Sequence, residues 1–313
     1  MRLPITLLAC AGLIAQAALA KEPEKLPGSR VLVTSTKAEA QQKPAGRDLT
    51  EAEVAAMVKQ RLEAMRKARA ARAAAEAKAA ENNPKVKRSD HWSYEGDTGP
   101  EKWGKINPAW AKCGSGNRQS PIDIRDGIRV DLEPVDFAYG ASGFNVINNG
   151  HTIQVNLAPG NRFTLTGRSY ELQQFHFHRP AEEKIDGRSF DMVAHLVHKD
   201  EQGRLAVVAV LVKEGEQPHP GIQVVWNNLP LEKYQPLVPV IQFDPAAMLP
   251  SRREYYTFMG SLTTPPCDEG VLWIVMKEPI VASKQQLDIF ARLYPMNARP
   301  VQALAGRLIK ESN

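Results

Sequence analysis

From His91 to Asn313 the sequence predicts a mainly β domain, and three observations carry that prediction. Short apolar segments alternate with polar residues at the strand period, as in FNVINNGHTIQVNL, RFTLTG, LAVVAVLVKEG and VLWIVMKEPIV. Gly, Pro and Asn separate these segments at close intervals, where turns require them. Helical periodicity is sparse, with SKQQLDIFARL its clearest instance. There is no internal repeat and no glycine loop suited to cradling phosphates.

The residues before this domain have a different texture. MRLPITLLACAGLIAQAALA places Arg2 ahead of a short apolar run that ends in Ala18-Leu19-Ala20, the pattern of a cleaved secretory signal over residues 1–20. A retained membrane anchor, or a lipoprotein signal ending at Cys10, are the rival readings. Residues 21–47 mix Pro, Gly, Lys and Gln and read as a disordered linker. Residues 48–83 then predict an Ala-rich basic helix. Thr50 and Glu53 form a capping-box pattern, Leu49 and Val54 a hydrophobic staple, and Asn82-Asn83-Pro84 a stop. Its apolar stripe (Val54, Val58, Leu62, Met65) lasts about three turns, so it is either a solvated helix or a docking surface for an envelope partner or a second copy in a homodimer. Residues 84–90 form a second linker, and 91–313 the globular domain. The domain carries nothing long enough to span a bilayer.

Charge follows the same division. The chain's +5 decomposes into +6 over residues 21–90 (16 basic against 10 acidic), −2 over 91–313 (23 against 25) and +1 from Arg2. Nucleic-acid binding by the globular domain is therefore not indicated. Without Cys10, two cysteines remain, Cys113 and Cys267. In an exported chain, periplasmic or secreted, such a pair reads first as a disulfide and otherwise as two unrelated buried thiols. A bridge of that span stabilises by roughly 4–5 kcal/mol on the chain-entropy account.

Four of the seven histidines stand in QFHFHRP and MVAHLVH, runs that otherwise read as buried strand. Side chains alternate along a strand, so His176 and His178 share a face, as do Val193, His195 and Val197, while His198 lies opposite. At most one of His195 and His198 can join the pair. Asp186-Gly187 marks a turn between the segments, making them plausible antiparallel neighbours. A buried imidazole needs a partner for its polar nitrogens. For any one of them a backbone carbonyl suffices. Three neutral imidazoles beside an open position describe a catalytic zinc site.

Taken together, HWSYEG, RQSPIDI, NNGHT, QFHFH, AHLVH, SLTTPPC and WIVMKEPI stand in the order found in the alpha-class carbonic anhydrases, which residues 91–313 resemble throughout. The resemblance implies one large twisted, mostly antiparallel sheet of about ten strands with a few short surface helices. It implies one Zn2+ per chain on His176, His178 and His195, with His198 structural. The implied activity is reversible hydration of carbon dioxide to bicarbonate and a proton by a zinc-bound hydroxide, a lyase reaction. The family's threonine–glutamate pair corresponds to Thr263 and Glu182, and Thr264 lines the same cavity. Its apolar substrate wall corresponds to Val197, Val207, Leu262 and Trp273, and its proton shuttle to His151. Cys113 and Cys267 fall where exported members carry a disulfide.

Two positions depart from the pattern. The family usually places a glutamate two residues before the third ligand, where it bonds that ring's free nitrogen; here the residue is Val193. Relatives often have histidine where Glu183 stands. The second nitrogen of His195 is then expected to bond a water, a carbonyl or another side chain. On that reading Val193→Glu should slow zinc loss and raise the pH midpoint of hydration. A non-catalytic binding module on the same fold is the competing functional class, and the intact histidine triplet argues against it.

Overall fold

The computed structural model describes residues 90–313 and, within the N-terminal region, Gln60, Glu63 and Lys67, all three helical. The signal, the linkers and the bounds of the expected helix lie outside the described residues. The chain divides into two units, 1–83 and 84–313, and the second holds everything that follows.

Fourteen strands build the domain: β1 (Asp123–Ile124), β2 (Ile128–Arg129), β3 (Asp136–Ala138), β4 (Phe144–Asn148), β5 (Ile153–Leu157), β6 (Arg162–Leu165) and β7 (Arg168–His178). They continue with β8 (Lys184–Ile185), β9 (Met192–Lys199), β10 (Leu205–Gly215), β11 (Tyr255–Ser261), β12 (Glu269–Met276), β13 (Ile280–Ser283) and β14 (Lys310–Glu311). Twelve of them join in one mixed sheet whose main path runs β2-β14-β11-β12-β10-β9-β7-β5-β4, while β1 and β8 pair separately. Most contacts are antiparallel, with parallel pairs at β10–β12, β10–β13 and β14–β2. The sheet is thus larger than the ten strands expected. β2, β3 and β14 hold two or three residues each, too few to display alternation in sequence.

The centre of the sheet is covered on both faces. Val208, Val210 and Val212 of β10, Ala194 and Leu196 of β9, and Phe175 and Phe177 of β7 point into the main core. The helices Pro220–Asn227 and Lys284–Leu293 close that core through Ile222, Val225, Trp226, Leu287 and Phe290. A capping box between Ser283 and Gln286 opens the second helix. The alternate residues, Val193, Val207, Ala209, Leu211, Trp273 and Val275, form a smaller cluster on the other face. This double burial explains why β9 and β10 read as nearly continuous apolar runs.

A third cluster packs Trp103 around the Cys113–Cys267 disulfide. The bridge spans 154 residues and ties the short helix Lys112–Ser115 to the loop after β11. That loop contains Thr263 and Thr264, and the Cys267 N–H donates to the Thr264 carbonyl. We expect Cys113→Ser to lower the unfolding free energy by roughly 4–5 kcal/mol, measured by denaturant titration of the oxidised protein. An unchanged midpoint would show that the bridge constrains nothing.

Candidate metal centre

Strand pairing brings the histidines together. β7 and β9 are antiparallel neighbours, with His176 opposite His195 and His178 opposite Val193. Asp186 and Gly187, at φ 51° and 78°, make the turn between them; Ile185 and Arg188 exchange backbone hydrogen bonds across it. Ring centroids lie 4.9 Å apart for His176–His178, 4.8 Å for His178–His195 and 5.6 Å for His176–His195. One ligand atom from each comes within 4.8 Å of the others.

Each ring is oriented by an acceptor on its other nitrogen. His178 Nδ1 meets the Asn297 carbonyl at 2.7 Å, so it carries the proton and leaves Nε2 as a bare lone pair. That Nε2 is buried and has no hydrogen-bond partner. His176 Nδ1 lies 2.9 Å from Gln174 Oε1, which likewise leaves Nε2 bare. His195 is held the other way round. Its Nε2 lies 3.0 and 3.2 Å from the two oxygens of Glu183, leaving Nδ1 for the shared point. Three lone pairs without donors, converging in a buried place, fit a cation of zinc's ligand preference.

This geometry decides among the partners left open for His195. Val193 is fully buried and shares the His195 face, yet His195 already has a carboxylate partner in Glu183. Glu183 sits on the connection before β8, a place that reasoning from neighbours along one strand does not reach. Its buried neighbour Glu182 forms, with Glu183 and His195, a second close group of ligand atoms. There the Glu183–His195 contact is already a satisfied hydrogen bond, so the three-histidine group is the better cation site.

The electrostatics agree. Burial, then the neighbouring His195, pushes His176 down to about 3, although its ring keeps some contact with solvent. Burial and the two other rings hold His178 well below the usual imidazole range. Both are therefore neutral at physiological pH. Burial also opposes charge on His195, but the charge and hydrogen bond of Glu183 outweigh it and raise the group overall. Burial pushes Glu182 up to about 7, against the lowering influence of His195, with Glu183 adding to the rise. A cation among the rings would pull it back.

Glu182 is fixed from the C-terminal segment. The Arg299 N–H donates to Oε1 at 2.7 Å, while Oε2 has no hydrogen bond of ordinary geometry. Thr263 acts on this carboxyl as a hydrogen-bonding neighbour and is itself buried. The Arg299 guanidinium reaches Gln119, the Ser120 carbonyl and the Cys113 carbonyl, tying Glu182 to the disulfide region. Asn297 and Arg299 were not singled out in the sequence, and nothing local marks them.

The apolar residues form a row across the sheet: Val197 pairs with Val207, and Val207 with Trp273. Trp273 stands edge-on to His195 at 5.0 Å, and Leu262 packs against the same cluster. Thr264 is partly buried beside Thr263. His198 lies on the opposite face with both nitrogens occupied, Nδ1 by the Leu196 carbonyl and Nε2 by the Tyr139 hydroxyl at 2.5 Å. It is excluded from the cluster as the alternation required. His151 sits in the β4–β5 turn, stacked on Trp92 at 3.8 Å, and its carbonyl accepts from the same Asn297.

Residues 98–313 match the sequence model of the eukaryotic-type carbonic anhydrase family, and the chain belongs to that family of enzymes. It is 41% identical over 222 residues to a carbonic anhydrase of Pectobacterium carotovorum, covering 71% of this chain and 91% of that protein. Among solved structures, a hyperthermostable carbonic anhydrase from an active hydrothermal vent chimney superposes with a TM-score of 0.69 at 43% identity, covering 71% of this chain and all of the other. Dioscorin complexed with ascorbate superposes with a TM-score of 0.66 at 30% identity, covering 71% and 98%. Since the fold also serves a protein described with another ligand, assignment of chemistry rests on the side chains.

The histidine shifts give a sign that can be tested on metal-free protein. A group whose folded pKa lies below its unfolded value contributes stability that is present above the unfolded pKa and is lost as pH falls. His176 and His178 should therefore make the apoprotein lose stability as pH drops from about 6.5 toward 3. Denaturant midpoints at pH 7 and pH 5 measure the slope, and His178→Asn, which cannot take up that proton, should flatten it. Equal slopes for the two proteins would contradict the assignment.

Proposed function

We propose that this chain hydrates carbon dioxide reversibly to bicarbonate and a proton, using one zinc ion held by His176 Nε2, His178 Nε2 and His195 Nδ1. The convergence of the three imidazoles, with the buried His178 Nε2 left without a hydrogen-bond partner, beside Glu182 and Thr263 carries this reading. Bound by neutral ligands, zinc would act as a Lewis acid that lowers the pKa of its water to about 7, behaviour already known for the carbonic anhydrase class.

The remaining work belongs to the chain's own groups. Thr263 can hold the attacking oxygen in one orientation only if its hydroxyl proton has an acceptor. Glu182 supplies it: Arg299 occupies Oε1, and Oε2 is left for the threonine. Thr263 would thereby accept a hydrogen bond from the attacking oxygen, leaving that oxygen's remaining lone pair, not the threonine's, to face the substrate carbon. Carbon dioxide has no net charge or dipole, so the Val197–Val207–Trp273 row, with Leu262, suits it better than polar side chains that water would occupy. Thr264 borders the same region.

Each turnover releases a proton, and His151 is the group we assign to carry it out. Burial, then His91 and Lys233, lowers its pKa, so the ring is neutral and receptive near pH 7. We also read the chain as exported, periplasmic or secreted. The N-terminal apolar stretch and the cysteine bridge, which persists in oxidising compartments, support that.

Zinc analysis of purified protein, with stopped-flow carbon dioxide hydration, tests the proposal directly. His178→Ala should lose both zinc and nearly all activity, because two protein ligands hold the ion poorly. Full zinc occupancy at the wild-type rate in this variant would refute the ligand set.

For His151→Ala, the maximal rate in dilute buffer should fall by at most about a hundredfold, the low end of general acid–base effects. Imidazole-type buffers should restore much of it. A variant indistinguishable from wild type in dilute buffer would remove His151 from the proton path.

A further inference from the structure

Glu183 makes one contact that the reaction itself does not require. Both carboxylate oxygens face His195 Nε2, at 3.0 and 3.2 Å, and Glu183 and His195 are buried from solvent to 0% and 2% exposure. The backbone on either side is pinned. The Ala181 N–H donates to the Phe190 carbonyl, the Lys184 N–H to the Ile122 carbonyl, and Lys184 pairs with Asp123 between β8 and β1. The carboxylate is thus delivered from a short, doubly anchored connection 12 residues before the ring it holds.

Val193 completes the picture. It lies two residues before His195 on the same face of β9, opposite His178 on β7 and Leu211 on β10. A carboxylate there would approach the same side of the His195 ring. Nε2 carries a single proton, already shared between the two Glu183 oxygens. A second buried carboxylate would therefore have no donor of its own and would face a like charge. An apolar side chain of valine's size satisfies the position.

We propose that Glu183 is the positioning residue for His195, fixing its tautomer so that Nδ1 faces the metal, and that positions 183 and 193 are alternative seats for one required carboxylate. The inference rests on the zinc reading above, and it replaces the expectation that Val193 leaves the third ligand without a carboxylate partner. It also reverses the predicted outcome of Val193→Glu. That substitution alone should not slow zinc loss, and it should destabilise the fold.

The test uses zinc-loaded full-length protein and chelator-driven zinc release, with denaturant unfolding measured in parallel. Glu183→Leu should release zinc about 10–100-fold faster than wild type. Glu183→Gln, whose amide oxygen still accepts from Nε2 without the charge, should fall between the two. Adding Val193→Glu to Glu183→Leu should recover most of the retention, whereas Val193→Glu alone should recover nothing and unfold earlier. If Glu183 merely packs the interior, Glu183→Leu changes stability while folded molecules release zinc at the wild-type rate, and the second substitution rescues nothing; that result overturns the proposal. Should Glu183→Leu fail to fold, Glu183→Gln and the double variant decide by the same criteria. A wild-type chain that takes up no zinc overturns the metal centre itself, whereas a zinc-holding wild type with insensitive Glu183 variants overturns this inference alone.

Discussion

The site depends on a constraint at the far side of each imidazole. A neutral histidine has one proton and one lone pair, and whichever nitrogen meets an acceptor keeps the proton. Three acceptors of different chemistry do this here: an amide oxygen on Gln174, a backbone carbonyl at Asn297 and a carboxylate at Glu183. They come from the same strand, from the C-terminal segment and from a connecting loop. Moving any one of them would turn a lone pair away from the others or place a proton in it. Long-range hydrogen bonds hold two of these acceptors in place, at Asn297 and on either side of Glu183.

The C-terminal segment shows how that is achieved. Asn297 is fully buried and works with both ends: its carbonyl holds His178, while its side chain binds the Arg179 N–H and the carbonyls of His151 and Phe177. Two residues on, Arg299 fixes Glu182 with its N–H and spends its guanidinium on Gln119 and two carbonyls. Burial pushes that guanidinium down to about 10, with the nearby Glu182 carboxyl acting to raise it, so it still carries its charge at neutral pH. It also lies 5.6 Å over the Trp103 ring. A buried cation and a buried acid are thus compensated by hydrogen bonds that cross from one end of the domain to the other. The disulfide closes the same circuit, since the carbonyl of Cys113 accepts from Arg299 and Cys267 ends the threonine loop.

Much of this was legible in the sequence, for a specific reason. Alternation in QFHFH and MVAHLVH fixes which histidines share a face, and the observed register puts His176, His178 and His195 together with His198 behind the sheet. Asp186-Gly187 was readable because a two-residue turn needs positive φ at both places. The acceptors were less readable. Asn297 lies 119 residues from the ring it binds, and no local pattern encodes that distance. Strands of two or three residues, such as β2 and β14, carry too little periodicity to be counted. The roles given to Thr263, Thr264 and the apolar wall came from family resemblance, since as loop and core residues they look ordinary.

The reading of Val193 has a physical lesson. Expecting Val193→Glu to supply a missing carboxylate treats that carboxylate as if it had to sit on the same strand, two residues away. The ring imposes no such condition. It requires one acceptor within about 3 Å of Nε2, in a place dry enough for the bond to be strong and rigid enough for it to persist. The loop before β8 meets that requirement because pairing with β1 fixes its backbone and burial removes water from its carboxylate. Once it is met, the strand position is released from the polar role and is better filled by an apolar group. A substitution that looks like a lost function when read one position at a time is, in the folded chain, half of an exchange whose other half lies ten residues earlier at Glu183.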